Sequence, residues 1–245
     1  MANWQDPQTT GVTAATVGVP RAARDVGLRS YMLSVYNYMA SGVLLTGIVA
    51  LLFAPYAGQV LVGPRGGLSG LGWIVTLAPL GFVFAMSFGV NRMQTGTLRA
   101  LFWGFAAVMG LSMSTLFLAY TGVSIAQTFF ATAAAYVGLS LYGYTTKRDL
   151  SGIGTFLIMG VVGLLVAMLI NFWLQSSTMA LLISGIGVLL FAGLTAYDTQ
   201  RIKSMYEYVQ GTDMLGKTVI MGALSLYLDF INMFQFLLSF MGDRR

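Results

Sequence analysis

The chain is 245 residues long, and 57% of its residues are hydrophobic whereas 9% are charged. Soluble domains carry about 25% charged residues, so this chain lacks the polar surface of a water-soluble globule and its composition predicts a membrane protein. The absence of cysteine and histidine excludes disulfides, thiolate metal sites and the usual proton shuttle of neutral pH. A response to pH must therefore come from carboxylates or from a lysine.

The N-terminal arm, residues 1–30, is polar and ends in the basic segment PRAARDVGLRS (20–30). It contains no apolar run of the signal-peptide type. We expect the arm to be flexible up to about Pro20 and then to form a short basic helix that lies on the membrane surface.

Seven apolar stretches follow the arm, and each has about the 20 residues that a membrane-spanning helix needs. They cover residues 31–54, 71–91, 99–121, 124–144, 153–174, 179–197 and 218–241. Only TGVS (121–124) separates the third stretch from the fourth, which indicates antiparallel neighbours. The sequence therefore predicts an all-α membrane protein, a bundle of seven transmembrane helices in one domain (31–241) with a short C-terminal tail (242–245).

The basic residues are divided unevenly between the two ends of these helices. The end that holds the N-terminus carries ten of the 13 Lys and Arg residues: Arg21, Arg24, Arg29, Arg92, Arg99, Lys147, Arg148, Arg201, Lys203 and Lys217. The opposite end carries Arg65, Arg244 and Arg245. The positive-inside rule predicts a cytoplasmic N-terminus and a C-terminus outside. The net charge of +5 thus indicates topology rather than binding of nucleic acid.

Small residues recur at four-residue spacing in two of the predicted helices. Ala106, Gly110 and Ser114 form one such ladder in the third helix, and Ala134 and Gly138 begin another in the fourth. Small residues let helix backbones approach closely within lipid, so both ladders predict packing faces.

Two acidic residues lie within the apolar stretches or at their edge. Asp198 stands at the cytoplasmic end of the sixth helix, in LTAYDTQRIK (194–203), and Asp229 lies within the seventh, in LSLYLDFINMF (224–234). A charge at mid-membrane costs at least about 2.5–3.5 kcal/mol. Because consecutive helices are antiparallel, the two carboxylates can meet, share one proton and titrate as a pair. The pair predicts a proton-sensitive switch that needs no histidine.

Each of the two acids also has a simpler interpretation. Asp198 can be a helix-end residue at the headgroups, paired with Arg201 or Lys203. Asp229 can be a buried polar residue that joins neighbouring helices by hydrogen bonds. The sequence leaves both interpretations open.

Asp229 belongs to a polar stripe along the seventh helix. The members of the stripe recur every three or four residues: Gly222, Ser225, Asp229, Asn232, Gln235 and Ser239. This period places them on one face, which must point to the protein interior or to water. The stripe predicts either hydrogen bonds to neighbouring helices or the lining of a path for a cation or proton, and the aspartate favours the path.

Arg92, in VNRMQTGTLRA (90–100), ends the second predicted helix on the cytoplasmic side. Its guanidinium either snorkels to the lipid headgroups or reaches Asp198. In the second case a salt bridge closes the cytoplasmic mouth of the bundle.

Four segments carry a resemblance to a known family. They are ALSLYLDFINMF (223–234), AYDTQRIK (196–203), YGYTTKRDLS (142–151) and GLSMS (110–114). Together they resemble the Bax-inhibitor family, also called the transmembrane Bax inhibitor motif family, and its bacterial members in particular. The similarity extends over about residues 30–241. It implies a multi-pass protein of a bacterial inner (plasma) membrane.

The resemblance also implies an arrangement and a function. Six helices are expected to surround a central last helix, and the protein is expected to be a pH-sensitive leak for calcium, with no cofactor. By motif, the family's gating pair of aspartates falls on Asp198 and Asp229, which are then the expected calcium contacts. The family's latch arginine falls on Arg92. Residues 71–91 contain no acid, whereas some bacterial relatives carry one there.

Two other classes of function are alternatives to a calcium leak. Intramembrane aspartyl proteases pair YD with GxGD; Tyr197–Asp198 supplies YD, but Asp229 lies in LYLD (226–229) and the chain has no PAL tripeptide. The sequence therefore argues against an enzyme. The alternative is a regulatory protein that binds and modulates a membrane protease or stress machinery without transporting ions, a role associated with bacterial relatives.

Overall fold

A computed structural model describes residues 21–64 and 66–244, with side chains from residue 25 onward. The described chain forms eight helices: α1 Arg21–Val60, α2 Gly70–Gly89, α3 Thr95–Met113, α4 Leu116–Ala119, α5 Gly122–Thr145, α6 Ser151–Leu174, α7 Ser177–Val209 and α8 Met214–Met241. The flexible arm predicted up to Pro20 lies outside the described residues.

Seven helical units are long and apolar enough to cross a membrane, which confirms the predicted seven-helix membrane protein. Helices α3 and α4 together make one of these units, Thr95–Ala119. The break between them lies at Ser114 and Thr115, whose hydroxyls donate to the carbonyl oxygens of Leu111 and Ser112 at 2.6 and 2.8 Å. Such local bonds compete with the helical hydrogen bonds and bend a helix.

Two helices extend beyond the apolar stretches that the sequence defines. The basic segment 21–30 is the first part of α1, so the separate helix predicted on the membrane surface is wrong. Helix α7 continues to Val209 instead of ending at residue 197. The extension of α7 packs on α1: the Tyr206 ring lies with its centroid 5.3 Å from that of Tyr31, and its hydroxyl lies against Gly27 in the extension of α1. This contact places Asp198 inside a helix rather than at its end.

Helix α8 lies at the centre of the bundle, as the resemblance implies. Helices α1, α3, α5 and α7 pack around it, whereas α2 packs on α3 and α6 packs on α7 in an outer layer. Half of the 28 residues of α8 are buried, among them Asp229. Because neighbouring helices cover α8 on several sides, the Asp229 side chain is removed from lipid as well as from bulk water.

Hydrogen bonds between helix ends fix the two ends of the bundle. At the end where α1 begins, the Lys217 ammonium donates to the carbonyl oxygen of Val90 at 3.1 Å. At the opposite end, the backbone N–H of Thr121 donates to the carbonyl oxygen of Asp243 at 3.2 Å. The start of α1 and the C-terminal tail therefore lie on opposite sides, and the assignment of the first side to the cytoplasm stays a prediction from its basic residues.

The two predicted ladders of small residues have different outcomes. Ala106, Gly110 and Ser114 are buried, and a Cβ on Gly110 would lie 2.7 Å from the carbonyl oxygen of Thr46 in α1. Ala134 and Gly138 are exposed on the lipid side of α5, so the packing face predicted there is wrong. Helix α5 packs on its neighbours through another face.

The buried face of α5 consists of hydroxyl residues and one glycine. Its members recur every three or four residues: Ser124, Thr128, Thr132, Tyr136, Ser140 and Gly143. At Gly143 the helix approaches α7 so closely that a Cβ would meet the backbone carbonyl of Ala196. In lipid, small and hydroxyl residues allow this approach and supply hydrogen bonds between helices.

The contrast between Gly143 and Gly138 gives a test of this packing. Gly143→Ala forces α5 away from α7 and is expected to lower the free energy of unfolding by about 1–3 kcal/mol, as overpacking does. Gly138→Ala has open space around its Cβ and is expected to be neutral or to stabilise by about 0.4–1 kcal/mol. Thermal unfolding in detergent measures both variants, and equal melting temperatures would contradict the packing of α5 on α7.

Candidate functional site

The register between α7 and α8 determines how Asp198 and Asp229 are placed. Ser184 donates to the hydroxyl of Ser239 at 3.0 Å, and Gly222 lies against Ile202. In this antiparallel register Asp198 is level with the residues around Ser225. At a rise of about 1.5 Å per residue, Asp229 therefore lies only about 5–6 Å deeper, one helical turn further from the N-terminal side.

The two acids differ in how far they are buried. Asp229 is 4% exposed, and its Oδ2 atom is fully buried and makes no hydrogen bond to the residues that the structure describes. Asp198 is half-buried, and it is close enough for its charge to act on Asp229. Arg201, one turn further along α7, is the cation that acts on Asp198. A carboxylate with an unpaired buried oxygen is costly to ionise. Sharing of a proton between Asp198 and Asp229 stays a prediction.

Tyr136 of α5 is a third member of this site, and the sequence analysis missed it. Its side chain is 5% exposed and its ring packs against Phe230 with centroids 5.5 Å apart. Its hydroxyl makes no hydrogen bond within the described part of the chain and lies in electrostatic range of both Asp198 and Asp229. The period-four hydroxyl pattern of α5 was the signal that could have identified it.

A chain of hydroxyl groups lies beside these residues and joins three helices. Tyr36 of α1 and Ser140 of α5 have their hydroxyl oxygens 2.6 Å apart, and Ser140 lies 3.1 Å from the hydroxyl of Thr199 in α7. Thr199 in turn donates to the carbonyl oxygen of Thr195 at 2.7 Å. Because Thr199 follows Asp198 in α7, this chain fixes the backbone that carries Asp198.

Arg92 lies in the turn that follows α2, where its side chain is exposed. Of the two alternatives that the sequence left open, the ion pair with Asp198 is absent from the described residues in this conformation. Its neighbour Val90 is instead joined to α8 through Lys217. The role of Arg92 as a latch stays a prediction.

The polar stripe of α8 continues from Asp229 towards the opposite end of the bundle. Ser225 is half-buried, and Asn232, Gln235 and Ser239 line a cavity of about 600 Å³. Helices α3, α4, α6 and α7 supply further polar groups to this cavity: Ser112, Thr115, Tyr120, Asn171 and Ser184. Both interpretations of the stripe apply in part. Ser239 forms a hydrogen bond with Ser184 of α7, whereas Asn232, Gln235 and Ser239 all line the cavity.

Neither acid belongs to a ready-made metal cage. In the part of the chain that the structure describes, no group of three or more acid, histidine or cysteine side chains is positioned to hold a metal ion. Asp198 and Asp229 supply only part of the roughly six to eight oxygen ligands that Ca²⁺ prefers.

Asp149 lies in the loop between α5 and α6, on the N-terminal side of the bundle. The Ser151 hydroxyl and then its backbone N–H lower the pKa of Asp149, and the N–H donates to Oδ1 at 2.9 Å. A lowered pKa keeps this carboxylate ionised until the pH falls well into the acid range. Asp149 is therefore not the source of a response near neutral pH.

These features define a seven-span helical membrane protein with a pair of acids beside its central helix. The chain belongs to the Bax-inhibitor family, because the family model described as "Inhibitor of apoptosis-promoting Bax1" matches residues 28–245. It is 45% identical over 230 residues to the "Inner membrane protein YbhL" of Escherichia coli (strain K12), covering 92% of this chain and 95% of the relative. It is 48% identical over 225 residues to a protein of Rickettsia prowazekii (strain Madrid E), "Uncharacterized protein RP147", covering 90% and 92%.

The comparisons also settle where the protein resides. Seven membrane-spanning helices, together with the similarity to an inner membrane protein of E. coli, identify an integral multi-pass protein of a bacterial inner membrane. The prediction of localisation is confirmed.

The buried hydroxyls of Tyr136 and Tyr227 provide a matched pair for testing the site. Tyr227 is fully buried, and its hydroxyl lies 2.7 Å from that of Thr46. Tyr227→Phe removes a satisfied hydrogen bond and is expected to lower the free energy of unfolding by about 1 kcal/mol. Tyr136→Phe removes a hydroxyl that lacks a partner, so it is expected to leave stability unchanged or to raise it.

Thermal unfolding of both variants in detergent, at one pH and one lipid content, makes this comparison. A loss of stability in Tyr136→Phe as large as that in Tyr227→Phe would show that the Tyr136 hydroxyl has a partner after all. In that case Asp229, whose charge acts on Tyr136, is the acceptor that we expect.

Proposed function

We propose that this protein is a pH-sensitive leak channel for cations, with calcium as the transported ion and Asp198 and Asp229 as its gate. The observation that carries the proposal is the Asp229 carboxylate, which is buried in the central helix with one oxygen that has no hydrogen bond to any described residue. A charged group inside the membrane is expensive, and such groups are characteristic of ion and proton pathways. A catalytic role is not part of the proposal.

The gate works through the number of protons that the two acids hold. With one proton shared, the carboxylates attract each other and hold α7 against α8. When that proton leaves, two like charges face each other in a medium of low dielectric constant and repel. The helices then separate at the level of the pair. Arg92 is proposed to bind Asp198 in the closed conformation, where the bridge occludes the cytoplasmic mouth.

The path on the far side of the gate is proposed to run through the polar cavity of α8. Asn232 and Gln235 offer amide oxygens, and Ser239 offers a hydroxyl, at successive turns of the helix. Carboxylate and amide oxygens are the ligands that calcium prefers. Asp229 and the cavity residue Asn232 are successive members of the polar stripe of α8. An ion that passes the two acids therefore meets the oxygen ligands of the cavity next.

The gate is tested by calcium flux against pH in proteoliposomes. Asp198→Asn and Asp229→Asn each remove the group that exchanges a proton, so both variants are expected to flatten the pH dependence of flux. Asp213→Asn is the matched control, because Asp213 is an exposed acid at the start of α8 on the same side. Its pH profile is expected to equal that of the unmodified protein.

An unchanged pH profile in both Asn variants would overturn the gate. Zero calcium flux in the unmodified, folded protein would overturn the leak itself and favour the alternative, a regulatory protein that modulates a membrane protease or stress machinery. Copurification with such a protease would then be the next measurement.

The path is tested separately from the gate. Gln235→Leu and Asn232→Leu replace amide groups in the outer cavity with apolar side chains of similar size. They are expected to lower calcium flux several-fold at every pH, because an ion crossing the cavity loses oxygen ligands, and to leave the midpoint of the pH profile in place. Leu237→Met, on the same half of α8 but outside the cavity lining, is the control. Full flux in both Leu variants would remove the cavity from the path.

A further inference from the structure

A long groove runs between α1 and α5 on the N-terminal half of the bundle. Both helices pack on α8, but they leave between them a space of about 860 Å³. Phe230 of α8 forms part of the floor of the groove. The hydrogen bond between Tyr36 and Ser140 joins the α1 wall to the α5 wall. The volume is in the range of pockets that hold small organic ligands, about 300–1,000 Å³.

The groove opens sideways into the hydrocarbon of the membrane. Its rims are formed by side chains that are more than half exposed, such as Leu33 at 51% and Val137 at 66%, whereas Met32 and Met39 in its depth are buried. The walls are almost wholly apolar. An occupant must therefore enter from the bilayer and must present an apolar body to these walls.

The length of the groove matches one leaflet of a bilayer. On α1 the lining runs from Arg29 to Leu44, and on the antiparallel α5 it runs from Tyr144 back to Phe129. Each wall is thus about 22 Å long at 1.5 Å per residue. Half of a bilayer, headgroups included, measures about 20–22 Å. The groove accommodates one lipid chain from its headgroup to the middle of the membrane.

The mouth of the groove is positively charged. Arg29 is exposed at the end of the α1 wall, and the Lys203 ammonium lies 4.8 Å from the ring centroid of Tyr144, which ends the α5 wall. These cations stand at the level where the phosphate of a lipid in the groove would lie. The side concerned is also the basic side of the bundle, where anionic lipids attract Lys and Arg.

Tyr136 contributes its ring to the wall of the groove, whereas its hydroxyl is enclosed within the bundle, in electrostatic range of Asp198 and Asp229. An occupant of the groove therefore contacts the ring of Tyr136 and not its hydroxyl.

We propose that the α1–α5 groove binds an anionic phospholipid of the surrounding leaflet. The phosphate lies between Arg29 and Lys203, and one acyl chain fills the groove along Tyr136 down to Phe129. Because Phe230 and Tyr136 border both the lipid and Asp229, the occupant touches the side chains that pack around the acids. The lipid site is independent of ion transport and would exist in a protein that transports nothing.

Lipid retention measured by native mass spectrometry tests the proposal on the purified full chain. Titration with phosphatidylglycerol is expected to give one tightly bound lipid, and phosphatidylcholine of the same chains is expected to bind about fivefold more weakly. Arg29→Gln is expected to abolish that preference. Arg99→Gln removes an exposed cation of the same side that lies outside the groove, and it is expected to keep the preference.

A groove-filling variant tests the position of the chain. Ala133→Trp places a large ring in the α5 wall and is expected to lose the tightly bound lipid, whereas Val162→Trp, on the lipid-facing side of α6, is expected to retain it.

Equal binding of phosphatidylglycerol and phosphatidylcholine by the unmodified protein would overturn the headgroup site. Retention of the tight lipid by Ala133→Trp would overturn the groove as its location.

A cross-link in the native membrane distinguishes a lipid from a partner helix. Because the chain has no cysteine, Leu33→Cys carries a photo-activated cross-linker at a single position on the rim of the groove. A phospholipid adduct, at a lower yield in the double variant with Arg29→Gln, is expected. An adduct with another membrane protein instead of a lipid would contradict the proposal.

Discussion

The burial of one carboxylate in the central helix is the constraint on which the rest of this structure depends. On α8, neighbouring helices cover Asp229, and one of its carboxylate oxygens has no hydrogen bond within the described part of the chain. A charge in such a place costs at least about 2.5–3.5 kcal/mol. The bundle must therefore supply either a proton or a partner, and a proton shared with Asp198, one turn away, is the solution that we propose.

The helices around α8 present small and hydroxyl residues that let them approach it closely. The inner face of α5 carries hydroxyl residues and Gly143, and the inner face of α3 carries Ala106 and Gly110. Apolar side chains gain nothing by turning inward when the surroundings are lipid, so van der Waals contact and hydrogen bonds between helices decide the packing. This packing brings the Tyr136 hydroxyl into electrostatic range of the two acids and joins Thr199, next to Asp198 in α7, to Ser140 of α5.

The sequence predicted the number of spanning helices and their order, because apolar length is dictated by the thickness of the bilayer. It also predicted that Asp198 and Asp229 lie on neighbouring antiparallel helices, and the structure places them about one helical turn apart in depth. It failed where contact between helices decides the outcome. The extension of α7 depends on Tyr206 packing against Tyr31, and the faces of α5 depend on which side meets α7. Tyr136 belongs to the hydroxyl pattern of α5, but that pattern does not show which of its members lies near the acids, because this depends on how α5 packs on α7 and α8.

The protonation of Asp229 is the property that most directly tests this account. Infrared difference spectra of the protein in lipid, compared with those of Asp229→Asn, record the carbonyl stretch of a protonated carboxylic acid. We expect such a band near neutral pH in the unmodified protein, and we expect it to vanish both in the variant and as the pH is raised. Spectra that are identical in the two proteins across that range would show that no proton is held at Asp229, and the switch described here would not exist.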